Sequence, residues 1–252
     1  MTIFRGNTLY EVIMMDQANF EDARKAEANY HNELYSDSEI LEPGTWMSKP
    51  NAVVMELLER LLLHKDDLKI LDLGCGAGRN TIPMAMRLKE TDSMVVGIDL
   101  LDEAIEKLLD NAVKYSVKDL IQAVKGDVEY TELSKEDFDY IVACGCLEHV
   151  SSEEAFIKVI EVMKQGTKLG GIHCLTMNTE IQEVERDTGR ELETLIELNL
   201  QTDRAFSILK KAYDDWNVLE HQIVIQSIDE EKYDKPTQFR SQSITFAVQK
   251  ME

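Results

Sequence analysis

The sequence predicts an α/β fold in which a mostly parallel sheet is covered by helices on both faces. Three observations predict it. Between residues 69 and 176, short apolar runs alternate with amphipathic segments of helical period, the rhythm of strand–helix units. The apolar runs are nearly continuous, as in strands buried on both faces. The first run, Lys69-Ile70-Leu71-Asp72-Leu73, opens into a turn with glycines at 74, 76 and 78. A buried strand that passes through a glycine turn into a helix is a nucleotide-type bend, because bare backbone lets a ligand lie close.

Taken in order, residues 1 to about 45 are polar with scattered apolar positions. Phe20, Ala23, Ala26, Tyr30 and Leu34 are spaced as one helical face. Pro43-Gly44 breaks this segment, so residues 1–50 read as a helical extension laid over something else. Asn51 to Leu63 is an amphipathic helix with Pro50 near its start. Helices follow at Asn80–Lys89, with Pro83 in the opening turn, and at Glu103–Tyr115. Strands are expected at Met94–Ile98, Ile121–Val124, Phe138–Ala143 and Ile172–Thr176. Ser151 and Glu154 are spaced as a capping box for the helix carrying Phe156, Val159, Ile160 and Met163. Leu192, Leu195 and Ile196, then Ala205, Ile208, Leu209 and Ala212, suggest a broken helical insert over about 180–213. Two alternating strands close the chain, one around Leu219–Ile225 and one around Ile244–Val248. A charged loop with Pro236 is expected between them, in an antiparallel hairpin.

Composition narrows the function. The 252 residues include 27 Lys plus Arg against 48 Asp plus Glu, a net charge of −21. Nucleic-acid binding needs a basic footprint, which is absent, and an anionic membrane surface is disfavoured for the same reason. The charge serves solubility or attracts cationic ligands. Cys75, Cys144, Cys146 and Cys174 show no CxxC spacing and no His at zinc-finger distance. Free thiols fit a reducing compartment. No secretory signal pattern and no membrane-length apolar run occurs, so a cytoplasmic protein without a metal site is expected. The cysteines and Met14-Met15 read as core filler rather than soft-metal ligands.

In an open parallel sheet, ligands bind beyond the carboxyl ends of the strands. The chain places Asp72 and the glycine turn, then Asp99, Asp127, and Cys144-Gly145-Cys146 with Glu148 and His149 at those ends. Asp99 follows the turn by about twenty residues, and a carboxylate there can accept from both ribose hydroxyls. The dinucleotide fingerprint is GxGxxG; here the spacing is GxGxG, with Arg79 where the last fingerprint glycine would stand.

DLGCGAG, Gly-Ile-Asp, Gly-Asp-Val and FDYIVACGCLEHV, in that order over residues 69–176, resemble the motif series of class I S-adenosylmethionine-dependent methyltransferases. LDLGCGAGRN and SITFAVQK are similar to small-molecule enzymes of the tellurite-resistance type. The resemblance implies a Rossmann-like seven-stranded sheet in the order 3-2-1-4-5-7-6, last strand antiparallel, spanning 51–252. It implies S-adenosylmethionine as methyl donor and a small-molecule acceptor. Gly74, Cys75, Gly76 and Gly78 would border the methionine part, and Asp72 would face its amino group directly or through water. Asp99 would hold the ribose hydroxyls with Leu100 beside the adenine. Asp127 would accept from the adenine amino group with Val128 packing near it. Cys144, Gly145 and Cys146 would form the floor beneath the sulfonium. A sulfonium and an ammonium suit an acidic cleft.

Each assignment has a structural alternative. Asp72 and Asp127 are also turn residues, and Asp99 also suits a helix N-terminus. His149 stands where related O-methyltransferases use a base, yet it equally suits packing at a helix entrance. Tyr30 and Trp46 either contact the ligand from a lid or pack the extension down. Three rival functions remain open: a non-catalytic S-adenosylmethionine-binding or regulatory protein, an NAD-dependent oxidoreductase, and a nucleic-acid or protein methyltransferase. The pattern carries no signal for oligomeric state.

Overall fold

At the centre of the sheet lies β1 (Lys69–Leu73), parallel to β2 (Met94–Asp99) on one side and β4 (Phe138–Cys144) on the other. β3 (Ile121–Lys125) extends the sheet beyond β2 and β5 (Thr167–Glu185) beyond β4, both parallel. β8 (Lys235–Lys250) runs antiparallel to β5, and β7 (Trp216–Lys232) antiparallel to β8 at the edge. A two-residue strand, β6 (Glu191–Leu192), pairs beside the far end of β5. The order is 3-2-1-4-5-8-7. This is the expected arrangement with β6 added to the count. The computed structural model describes residues 7–43, 46–232 and 235–251, and no side chains at 7–19, 36–37 and 231–232. Gly44 and the side chains of Met14 and Met15 lie outside the described residues.

Strand alternation builds two cores. Ile70, Tyr140 and Val142 face one layer, and Leu71, Ile141 and Ala143 the other, because successive side chains point to opposite faces. The first layer takes α2 (Ala52–Leu62), α3 (Thr81–Arg87) and α4 (Asp102–Lys114) through Leu58, Ile82 and Leu108. The second takes α5 (Glu153–Gly166) and α6 (Thr202–Ala212) through Phe156, Ile160 and Phe206. Asn51 caps α2 by accepting from the Val53 N–H. α1 (Asn7–Asp37) packs against α4 and feeds Tyr35 into the first layer. Among the described residues no helix is long and apolar enough to cross a membrane.

Three expectations need correction. The α5 cap is Ser152, which accepts from the Ala155 N–H; Ser151 instead gives both its N–H and its hydroxyl to the Glu129 carboxylate. The span 180–213 is helical only over α6. β5 runs past a bulge at Thr179–Gln182 and pairs on to Glu185, and residues 193–200 are irregular. The spacing of Leu192, Leu195 and Ile196 mimics a helix, but Leu192 pairs with Glu183 of β5 and the residues between it and α6 form neither helix nor strand. The charged loop with Pro236 is strand: Pro236 stands opposite Glu231, beyond the last β5–β8 pair, Glu185–Thr237. At such a position a missing N–H is tolerated.

Candidate active site

The carboxyl ends of β1 to β4 converge under α1, and a cavity of about 940 Å³, open mouth included, lies between them. The glycine turn forms one wall. Gly74, Gly76 and Gly78 have φ of +66°, +52° and +98°, a region that disfavours any side chain. A Cβ at Gly74 would stand 2.4 Å from Cys146 Cβ, and one at Gly76 2.6 Å from the Tyr35 hydroxyl. Gly74, Cys75 and Gly76 line the cavity. Gly78 does not: a Cβ there would stand 2.7 Å from Leu108 Cδ1 and 2.8 Å from Ile82 Cγ1, so its missing side chain serves helix packing.

The carboxylates are held differently. Asp99 accepts from the Gly76 N–H (2.8 Å) and the Leu101 N–H (3.0 Å), which fixes it at the cavity wall beside Leu100. Asp127 accepts from the Glu129 N–H at 2.9 Å, closing the turn, and also lines the cavity with Val128. Its second oxygen receives Arg24 Nη1 at 2.7 Å. Asp72 lies beneath the turn and does not line the cavity. Burial pushes its carboxyl from 3.8 up to about 7; the Thr81 hydroxyl, donating at 2.6 Å, opposes the rise, and the Asp99 charge adds to it. Direct contact with a ligand amino group is therefore not its place; it acts through the turn it supports.

Cys144, Gly145 and Cys146 line the cavity. Burial pushes the Cys75 and Cys146 thiols up, so both are neutral, and Cys146 Sγ donates to the Leu73 carbonyl. All four cysteines are free. Among the described residues no group of three or more His, Cys, Asp or Glu could hold a metal ion.

His149 is the main surprise. Its Nδ1 lies 2.9 Å from Glu197 Oε2 and its Nε2 3.5 Å from Glu27 Oε1. Burial would lower its pKa, but the Glu197 hydrogen bond and the charges of Glu27, Glu148 and Glu197 outweigh it and raise it from 6.5 to about 9. This favours the imidazolium at neutral pH, held between two carboxylates, so a base role at this position requires that proton to leave first. Tyr30 is likewise displaced. It is exposed, with its ring edge on His31 at 5.2 Å, and the cavity is lined instead by His31, Tyr35 and Trp46 of that segment.

Arg24, Glu27, Ala28, His31 and Tyr35 share one face of α1 and line the cavity. Their three- and four-residue spacing was readable; the apolar face through Ala26 and Tyr30 had placed the helix one residue out of register. Arg79 also lines the cavity, but in the sequence it served only as a missing glycine. Glu197 gave no signal, since it sits in an irregular segment tied down by the Leu198 N–H to Glu148 carbonyl bond at 2.9 Å.

A glycine turn, one carboxylate after the second strand, another after the third and a helix laid across them meet at one cavity on a class I methyltransferase fold. The comparisons agree. Residues 70–171 match the methyltransferase domain family, and the chain carries a class I S-adenosylmethionine-dependent methyltransferase domain. It is 32% identical over 117 residues to sterol 24-C-methyltransferase of Debaryomyces hansenii, covering 44% of this chain and 30% of that one. It is 36% identical over 121 residues to the mitochondrial ubiquinone biosynthesis O-methyltransferase of Mus musculus, covering 44% and 29%. The chain thus spans about a third of the length of these relatives. Two solved structures share the fold. TehB from Haemophilus influenzae has a TM-score of 0.56 at 20% identity, covering 79% of this chain and 62% of that one. The [4+2]-cyclase SpnF has a TM-score of 0.55 at 15% identity, covering 83% and 84%.

Proposed function

We propose that this protein transfers a methyl group from S-adenosylmethionine to a small-molecule acceptor. The observation that carries the reading is that Asp99 and Asp127, on the ends of strands β2 and β3, flank the bare backbone of Gly74–Gly76 in one cavity. That arrangement supports Asp99 holding the ribose hydroxyls, Asp127 and Val128 the adenine, and Gly74, Cys75 and Gly76 the methionine part. Cys144 to Cys146, which line the same cavity, would lie beneath the sulfonium.

The cofactor, when bound, supplies an electrophilic methyl carbon on a sulfonium. The chain's part is to hold the acceptor in line with it and to exclude water. Such positioning is worth up to ~7–11 kcal/mol in favourable cases. The α1 face and Trp46 close the cavity over the turn and fit the task of excluding water. The acceptor atom is left open, since the names of the relatives include both a C- and an O-methyltransferase.

The test incubates the protein with methyl-labelled S-adenosylmethionine and a metabolite extract and identifies the labelled product. Binding alone is insufficient, because a [4+2]-cyclase shares the fold. Tight binding of NAD with none of S-adenosylmethionine overturns the reading.

A further inference from the structure

We propose that Arg79, laid on Trp46, is the carboxylate-binding residue of this cavity. The proposal rests on the methyltransferase reading and adds a ligand chemistry to it.

Four side chains that can carry positive charge line the cavity, and three have carboxylates. Arg24 pairs with Asp127 and lies 3.5 Å from Glu197; His149 faces Glu197 and Glu27; His31 Nε2 lies 2.7 Å from Glu27 Oε1. Arg79 differs. Its Nε donates to the Lys49 carbonyl at 2.7 Å, and its guanidinium carbon lies 5.2 Å from the Trp46 ring centroid. Among the described residues it has no carboxylate partner, and its two Nη groups donate to no protein acceptor.

This is a guanidinium held at two points with its fork left over. The Nε tether and the ring fix its plane, so little freedom is lost when the fork is used. Its half-buried position removes hydration, and burial lowers its pKa accordingly. A partly desolvated cation calls for a counter-charge. The matching group is planar with two acceptor oxygens, which is a carboxylate bound bidentately. A dianion such as phosphate fits worse, because Asp99, Asp127, Glu27 and Glu197 line the same cavity. Two sources share this chemistry: the methionine carboxylate of the cofactor, whose turn Arg79 directly follows, and a carboxylate on the acceptor.

The experiment measures binding to wild type, R79K and R79Q by calorimetry, with thermal melts to confirm folding. One arm compares S-adenosylhomocysteine with its decarboxylated analogue, which keeps the amine. The other titrates benzoate and benzamide in the presence and absence of S-adenosylhomocysteine. If the cofactor supplies the carboxylate, R79Q weakens S-adenosylhomocysteine about tenfold or more and leaves the decarboxylated analogue within about twofold, with R79K between. If the acceptor supplies it, both nucleosides bind R79Q normally, and benzoate, preferred over benzamide by wild type, loses that preference. Equal weakening of both nucleosides, or no change in any arm, overturns the proposal. Failure of wild type to bind either nucleoside overturns the methyltransferase reading instead, and the benzoate arm still decides Arg79.

Discussion

Arg24 on α1 donates to Asp127 at 2.7 Å, joining the covering helix to the end of β3 across 103 residues of chain. The same guanidinium donates through Nη2 to the His149 carbonyl at 3.1 Å and lies 5.0 Å from the Phe20 ring centroid. One side chain thus pins the helix to two strand ends. The carboxylate it occupies is the one assigned to the adenine amino group, so α1 and the base draw on one acceptor.

Replacing Arg24 should therefore favour the nucleoside. R24Q is expected to tighten adenosine and S-adenosylhomocysteine binding several-fold in calorimetry. It should also raise hydrogen exchange along α1, since a largely buried charge-assisted bond contributes about 1–3 kcal/mol. Weaker binding in R24Q would show instead that Arg24 closes over the cofactor and that the adenine uses another group.

His149 sets a pH dependence. Its folded value of about 9 lies above the ordinary 6.5, so the native state binds the proton more tightly than the unfolded chain. That stabilisation is complete below pH 6.5 and is lost as pH rises through about 9. Thermal melts from pH 6 to 10 should show a fall in wild type that is flattened in H149Q. If His149 takes a proton during turnover, the methyl-transfer rate should climb over the same window. A wild-type melting profile that is flat across pH 6–10 would contradict the clamp.

Asp72 acts in the same direction over a lower pH window. Its folded value, about 7, lies above 3.8, so the buried carboxyl costs stability as pH rises from 3.8 through about 7. The Thr81 hydroxyl at 2.6 Å offsets part of that cost. T81V should destabilise by about 1–3 kcal/mol at pH 8 and by less at pH 5, where the acid is neutral. Denaturant melts at the two pH values decide it; an equal loss at both would mean that Asp72 does not change charge between them in the native state.

Gly76 and Tyr35 form a testable pair. G76A places a methyl 2.6 Å from the Tyr35 hydroxyl at φ +52°. The backbone part alone costs about 1–2 kcal/mol. In the double variant with Y35F the atom in conflict is gone, so the combined loss should fall short of the sum by about 0.5 kcal/mol or more. Strict additivity would indicate that α1 moves away from the turn freely.

Much of the domain was legible before folding. The strands around Leu71, Val96 and Ile141 announce themselves by unbroken apolar runs, and Gly74 and Gly76 by a turn that excludes side chains. Asp99 follows from its distance to that turn. These signals are local: strand period, turn chemistry and spacing act within a few residues, and the parallel crossovers leave few ways to order the strands. They determined the sheet, the turn and the donor end of the site.

Only the tertiary structure decided how the cover is wired. Arg24 to Asp127, Glu27 and Glu197 to His149, and Tyr35 to Gly76 join residues 41 to 122 positions apart in sequence. Which charges pair depends on where α1 and the irregular segment around Glu197 come to rest. The same contacts set His149 between two carboxylates, and the packing of Ile82 and Leu108 takes Gly78 out of the cavity wall. The want of a carboxylate beside Arg79 among the described residues is the plainest case. An unpaired charge is a property of everything around it, and no stretch of sequence contains its surroundings.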